Sequence, residues 1–385
     1  MPDRRVSAPG APHAAPHVQP KPSRASRRPL IATGGLILLA AIILAVLLPR
    51  GGGTPAPVSP SPPSSSSSRT SSGPATGALL RIDPATNKVA AQGYEVGQDP
   101  RAVAIGEGSV WVADPGKNSI LRVDPATGKV RATIAIGQQP RGIAIGGVPG
   151  VWVAAIDQVW EIDPQTNRVV GMHNVGEPTG TIAAGEGSVW VTLVISGLGR
   201  VDATTGLRDR GFDVGMILCS GCIAVRGGMR AVGGPWSGDH QRGASQSVAA
   251  GLGSVWAVGA PPPSGPSSVW RIDPSTGSSI PIRAEFPLVG VAIGEKAVWA
   301  VGANGVVARI DPETNEVAKL IGTGNGATRV VVGLGAVWVL NPTLGTVTRI
   351  DPGTNAVVAT IEVGVGATAI AAGGGSVWVT RTAHS

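Results

Sequence analysis

Arg101-Ala-Val-Ala-Ile-Gly-Glu-Gly-Ser-Val-Trp-Val-Ala-Asp114, followed by Ser119-Ile-Leu-Arg-Val-Asp-Pro-Ala-Thr-Gly128, decides the fold of this 385-residue chain. Residues 101–105 read as a short apolar strand, 106–109 as a tight turn, and 110–113 as the returning strand. After a loop at 114–118, residues 119–123 form a third strand, 124–128 a turn, and 129–136 a fourth strand. Runs rich in Val, Ile and Thr, punctuated by Gly, Pro and Asp, are strand and hairpin signals. No helical periodicity follows residue 50. Four antiparallel strands in about forty residues make one blade of a propeller.

The unit recurs. Its tryptophan returns as Trp111, Trp152, Trp190, Trp256, Trp299, Trp338 and Trp378, and its turn aspartate as Asp83, Asp124, Asp163, Asp202, Asp273, Asp311 and Asp351. The aspartates lie 41, 39, 39, 71, 38 and 40 residues apart by subtraction of those numbers. The first strand of each unit alternates a small residue (Ala104, Ala144, Ala183, Ala249, Ala292, Val331, Ala371) with a branched one, which suits crowded strands near an axis. Seven tryptophans in register read as packing where blades diverge. Residues 79–96 supply only an outer strand pair and residues 368–380 only an inner pair. The expectation is therefore an all-β, seven-bladed β-propeller whose seventh blade is built from both chain ends, leaving no sheet edge at the join.

The repeated Asp-Pro-x-Thr-Asn/Gly turns invite a calcium reading. Calcium wants six or more converging oxygens, and each turn offers about one carboxylate. Asp instead accepts backbone N–H bonds, Pro presets a dihedral, and Asn or Gly supplies the left-handed residue. These are read as hairpin chemistry, with no metal.

The first 77 residues have another composition. Residues 1–29 are Pro-rich and basic, and Leu30 to Leu48 is an uncharged run of 19 residues, about the length that crosses a hydrocarbon core. It is longer than a signal peptide's apolar run and ends in Leu-Leu-Pro-Arg, so it reads as an uncleaved transmembrane helix. Basic residues before it place the N-terminus in the cytoplasm and the propeller outside, at the plasma membrane. Residues 49–77 read as a disordered Pro/Ser/Gly-rich linker, and residues 78–385 as the propeller. The front 77 residues hold eight of the 31 Lys and Arg and one of the 24 Asp and Glu, which leaves 23 against 23 for the propeller. A formally neutral ring with scattered charge speaks against a nucleic-acid partner.

The spacing of 71 residues marks a break in the pattern, at about 216–245. Residues 222–233 mimic an inner strand pair, with Ala231 where the tryptophan belongs. This reads as an inserted hairpin or a stunted eighth blade, with the hairpin favoured. Cys219 and Cys222 have redox spacing but no helix to open, and zinc would want more ligands than His240 or Asp239 adds. Outside the cell a disulfide stapling the loop fits best. Trp236 sits in a polar, glycine-rich loop and reads either as an exposed contact or as packing on the hairpin.

Loops from the outer strand of one blade to the inner strand of the next share one rim with this insertion. They bring Asp99, Arg101, Arg141, Glu177, Glu285 and Arg329 around the channel mouth. With Trp236, Asp239 and His240 these are the candidate binding residues, because a rigid scaffold presents function on its loops. No phosphate-cradling Gly-rich loop, paired glycosidase-like carboxylates or nucleophile elbow is present.

Gly106-Glu-Gly-Ser-Val-Trp-Val112 and Arg81-Ile-Asp-Pro-Ala-Thr-Asn-Lys-Val89 resemble the repeats of the propellers grouped with streptogramin B lyases and the YVTN/YncE-like repeat proteins, over residues 78–380. For a lyase the resemblance implies a His/Glu set with magnesium at the channel mouth, opening a macrolactone by elimination. This chain offers His173, expected in an outer strand, His240 in the insertion, and His384. Similar repeats also serve as extracytoplasmic sensor or scaffold modules behind a membrane span. The reading is thus a monomeric propeller that binds an extracytoplasmic ligand or protein partner without catalysis or cofactor, the alternative being a magnesium-dependent lyase.

Overall fold

The computed structural model describes residues 76–90, 93–194, 197–203, 205, 247–258 and 267–382. The expected tail, membrane span, linker and insertion, with Cys219, Cys222, Trp236, Asp239 and His240, lie outside the described residues. Among the described residues no helix is long and apolar enough to cross a membrane.

Blade one is the antiparallel sheet Ala102–Gly106, Ser109–Asp114, Ser119–Val123 and Val130–Ala135, each strand paired with the next in sequence. Blades two, four, five and six repeat that order. Blade three shows its three inner strands, Thr179–Gly185, Ser188–Leu193 and Gly197–Asp202. In blade seven the C-terminal strands Ala367–Gly373 and Ser376–Arg381 are followed outward by the N-terminal strand Ala78–Asp83. The join is in register from Ala78 against Arg381 to Ile82 against Val377. Its outermost strand is split into Lys88–Val89 and Tyr94–Glu95, both paired with Ala78–Asp83. The sequence reading of one continuous outer strand there is corrected by this split. The interruption includes Gly93, whose backbone lies against the Leu80 side chain with no room for a Cβ.

The inner strands touch in an unbroken circle of seven, and that of blade three packs directly on Ser247–Gly251 of blade four. A Cβ on Gly185 would sit 2.9 Å from the Ala250 Cβ and 3.0 Å from its carbonyl oxygen. No further blade stands between these two in the ring.

Apolar contacts divide into seven layers, one between each pair of neighbouring blades. The seven motif tryptophans are each 0% exposed and sit in these layers. Strand two of each blade lies under both neighbours, so in most blades every one of its residues is buried, whereas the outermost strands alternate. Most of the indoles donate to the carbonyl of the glycine five residues earlier, as Trp111 does to Gly106 at 3.1 Å and Trp338 to Gly333 at 3.0 Å. That bond satisfies the one polar atom of an otherwise apolar payload.

The arginine of the Arg-Ile-Asp-Pro motif has a role that its own blade does not reveal. Arg122, Arg271, Arg309 and Arg349 each lie over the tryptophan of their own blade, 5.1 to 5.6 Å from the ring centre. Each then donates to the turn of the next blade, to the proline carbonyl and the asparagine side-chain oxygen. Arg349 reaches Pro84 at 2.6 Å and Asn87 at 2.9 Å, and Arg309 reaches Pro352 at 3.3 Å and Asn355 at 3.0 Å. Where the motif serine is present it accepts from the guanidinium Nε, as Ser109 does from Arg122 at 2.8 Å. The turn asparagines take left-handed φ near +56 to +60°, so one residue closes its hairpin and accepts the neighbour's guanidinium. Turns ending in Gly128 or Gly277 keep the first function and lose the second.

The turn aspartates behave as the sequence reading expects. Asp273 accepts from the Ser275 hydroxyl and from the backbone N–H groups of Ser275 and Thr276, which together hold its pKa down at about 2.

Arg349 latches blade six onto the blade built from both termini. Replacing it by alanine removes a ring contact and two charge-assisted hydrogen bonds, at an expected cost of about 2–4 kcal/mol. Lysine, lacking the planar fork, recovers little of it. Chemical denaturation of wild type, Arg349→Ala and Arg349→Lys checks both; a lysine variant as stable as wild type contradicts the latch.

Candidate functional site at the channel mouth

The loops entering the innermost strands gather at one end of the ring. There a cavity of about 650 Å³ is lined by Asp99, Arg101, Gln139, Arg141, Arg329 and Thr368, with Pro115, Gly116, Pro140 and Thr328 between them. These residues come from blades one, two, six and seven, an arc of four neighbours. Four sequence-derived candidates (Asp99, Arg101, Arg141 and Arg329) therefore meet in one place.

Each guanidinium has a different environment. Arg101 is exposed and its Nε pairs with Asp99 Oδ1 at 2.7 Å. Arg141 donates through Nη1 to the Thr179 carbonyl at 3.0 Å, across to blade three. Arg329 is half-buried, and its side chain has no hydrogen bond or ion pair with any described residue; burial pushes its pKa below the ordinary arginine value. Three guanidinium groups face one carboxylate, so the mouth is cationic although the propeller as a whole is neutral.

Two buried polar residues missed at the sequence level hold these loops. Asp114 is fully buried and accepts the backbone N–H groups of Gln98 and Asp99, each at 3.1 Å. Gly97, at φ +56°, passes so close to it that a Cβ would stand 2.3 Å from Asp114 Oδ2. Thr368 of blade seven adds a bond to the Pro100 carbonyl at 2.6 Å. In blade six, Asn341 donates to the carbonyls of Gly324 and Asn325 at 3.1 and 2.8 Å, just before Arg329. Both residues stand three positions after the motif tryptophan, where other blades have Ala155, Leu193 or Gly302. A polar residue in that apolar slot was the available signal.

The remaining candidates do not join the cavity. Glu177 lies half-buried in the loop entering blade three. Glu285 lines a second cavity of about 460 Å³ between the outer strands of blades four and five, with Arg283, Phe286 and Lys319. His173 is in the outer strand Arg168–Asn174, as expected, and packs against Trp152 with ring centres 5.6 Å apart. Its Nε2 is 3.9 Å from Glu161 Oε2, and Glu161 stands where other blades carry the latch arginine. Burial raises the Glu161 pKa, with His173 opposing that rise. This pair is not among the residues lining the mouth. Among the described residues no group of three or more His, Cys, Asp or Glu side chains could hold a metal.

This architecture defines the chain as a β-propeller. No family model matches the chain, and no curated protein matches it in sequence. Among solved structures it is similar to the computationally designed Ika8 protein, with TM-score 0.57 and 13% identity over 80% of this chain and 91% of that one. It is also similar to a streptogramin B lyase, with TM-score 0.53 and 12% identity over 80% of this chain and 98% of that one. The β-propeller domain of Myceliophteria thermophila Cps50 (Swd1) follows, with TM-score 0.53 and 10% identity over 74% and 97%. At such identities the likeness is one of fold.

Asp114→Ala removes the acceptor for two amides that shape the loop bearing Asp99 and Arg101, at an expected cost of about 1–3 kcal/mol. Hydrogen exchange at Gln98 and Asp99 should accelerate while strand amides of blades four and five keep their protection. Unchanged exchange at those two amides would show that Asp114 does not hold the loop.

Proposed function

We propose that this protein is a membrane-anchored, extracytoplasmic β-propeller that binds a ligand or protein partner at its channel mouth, as a sensor or scaffold without catalysis. The observation that carries this reading is the convergence of Asp99, Arg101, Arg141 and Arg329 on one cavity at the axis. Cavities of 300–1,000 Å³ at the mouths of closed β structures are where ligands dock. The uncharged run from Leu30 to Leu48 and the basic residues before it support the anchor and the orientation. The balanced propeller charge supports a partner other than nucleic acid.

The fold likeness to a streptogramin B lyase favours the second reading, a magnesium-dependent carbon–oxygen lyase. Fold alone does not carry that chemistry, and among the described residues the histidine nearest a carboxylate lies away from the cavity.

One preparation tests both readings. The full-length protein is melted with metals, cell-wall fragments and macrolactones, and macrolactone opening is followed with and without magnesium. The binding reading expects a melting shift with at least one compound, abolished by Arg101→Ala with Arg141→Ala, and no turnover. Magnesium-dependent lactone opening would replace it with the lyase.

A further inference from the structure

We propose that the channel mouth recognises an oxyanion, a carboxylate or phosphate group on its ligand, and that Arg329 makes the deciding contact. This deepens the binding reading above and rests on it.

The repeat supplies the first argument. By strand register, Arg329 opposes Leu340, two residues past the motif tryptophan. The residues at the same register in other blades are Ala102, Gly142, Ser247, Gly290 and Ala369. Small side chains therefore satisfy the packing of an inner strand's first residue, and nothing in the architecture asks for an arginine there.

Bonding supplies the second. The motif arginines are occupied: Arg122, Arg271, Arg309 and Arg349 each hold a neighbouring turn through two acceptors. Arg329 has no acceptor among the described residues, yet it is half withdrawn from water and lines the cavity. A desolvated guanidinium without a partner is unfavourable, and an incoming anion that accepts from its planar fork removes that penalty.

Charge supplies the third. Arg101 is largely compensated by Asp99 at 2.7 Å, and Arg141 uses one Nη on a carbonyl. The lining still carries three positive groups against one negative. A ligand bringing one or two negative charges is balanced there, and a neutral or cationic one is not. The volume of about 650 Å³ exceeds what a bare ion needs, so the oxyanion is one end of a larger molecule.

The test titrates inorganic phosphate and, separately, succinate into the full-length protein in detergent, against chloride at equal ionic strength. A neutral disaccharide and a cationic peptide complete the set. Variants are Arg329→Gln, Arg101→Ala, and Arg168→Gln as an exposed control away from the mouth. The proposal expects saturable binding of phosphate or succinate, weakened about tenfold or more by Arg329→Gln. Arg168→Gln should leave it unchanged, and the melting temperature of Arg329→Gln without ligand should match wild type. Which anion binds more tightly separates phosphate from carboxylate ligands. No preference over chloride, or equal weakening by Arg329→Gln and Arg168→Gln, overturns the proposal. If the disaccharide or the peptide binds instead and Arg101→Ala removes it, the mouth remains the binding face and only the oxyanion inference falls. If no mouth substitution alters any binding, both fall together.

Discussion

The sheet shared by the two ends of the chain is the constraint on which the rest depends. Each blade covers its apolar faces only with its neighbours, so an open arc would expose the tryptophan layer at one end and a bare face at the other. Pairing Ala78–Asp83 with Ser376–Arg381 closes the arc, and Trp378 then lies buried against Val103, Val110 and Val112 of blade one. The same closure brings Thr368 to the Pro100 carbonyl and Arg349 to the first turn of the chain. The mouth cavity draws residues from both sides of this join, so it exists only once the ring is complete.

Around the ring the arginine latch converts a repeated motif into a repeated interface. A guanidinium stacked on one blade's indole and bonded to the next blade's turn fixes their spacing and their tilt together. The exception is informative. Blade two carries Glu161 in that place, and the turn that would receive it, after Asp202, has Ala203 in place of proline. Donor and acceptor have changed together, and the apolar layer that includes Trp152 and Val189 holds that junction.

Much of the fold was legible because its determinants are local. Strand ends, the left-handed turn residues, the burial of the tryptophans and the strand-sharing by both termini all follow from pattern and period. The mouth was partly legible: Asp99, Arg101, Arg141 and Arg329 are rim charges that a blade-by-blade count places on one end. Glu285 was assigned to the same rim, but it lines a different cavity, since sequence order gives the end of the ring and not the radius. The roles of Asp114, Asn341 and the latch arginines were not legible. Their partners lie 15 to 46 residues away, or across the whole chain for Arg349, and no local periodicity encodes such bonds. The expected membrane span and the insertion with Cys219, Cys222 and His240 belong to residues outside the described ring, and their part in the account rests on sequence.

The closing sheet can be tested by a cross-link. Ala78 and Arg381 are directly opposed although 303 positions apart (381 − 78), and paired antiparallel residues stand at Cα separations that a disulfide spans. In a protein with Cys219 and Cys222 changed to serine, Ala78→Cys with Arg381→Cys should oxidise within one chain and raise the melting temperature. If both thiols stay free under the same oxidation while the protein remains folded, the two ends do not share a sheet, and the seven-bladed ring and its cationic mouth are wrong.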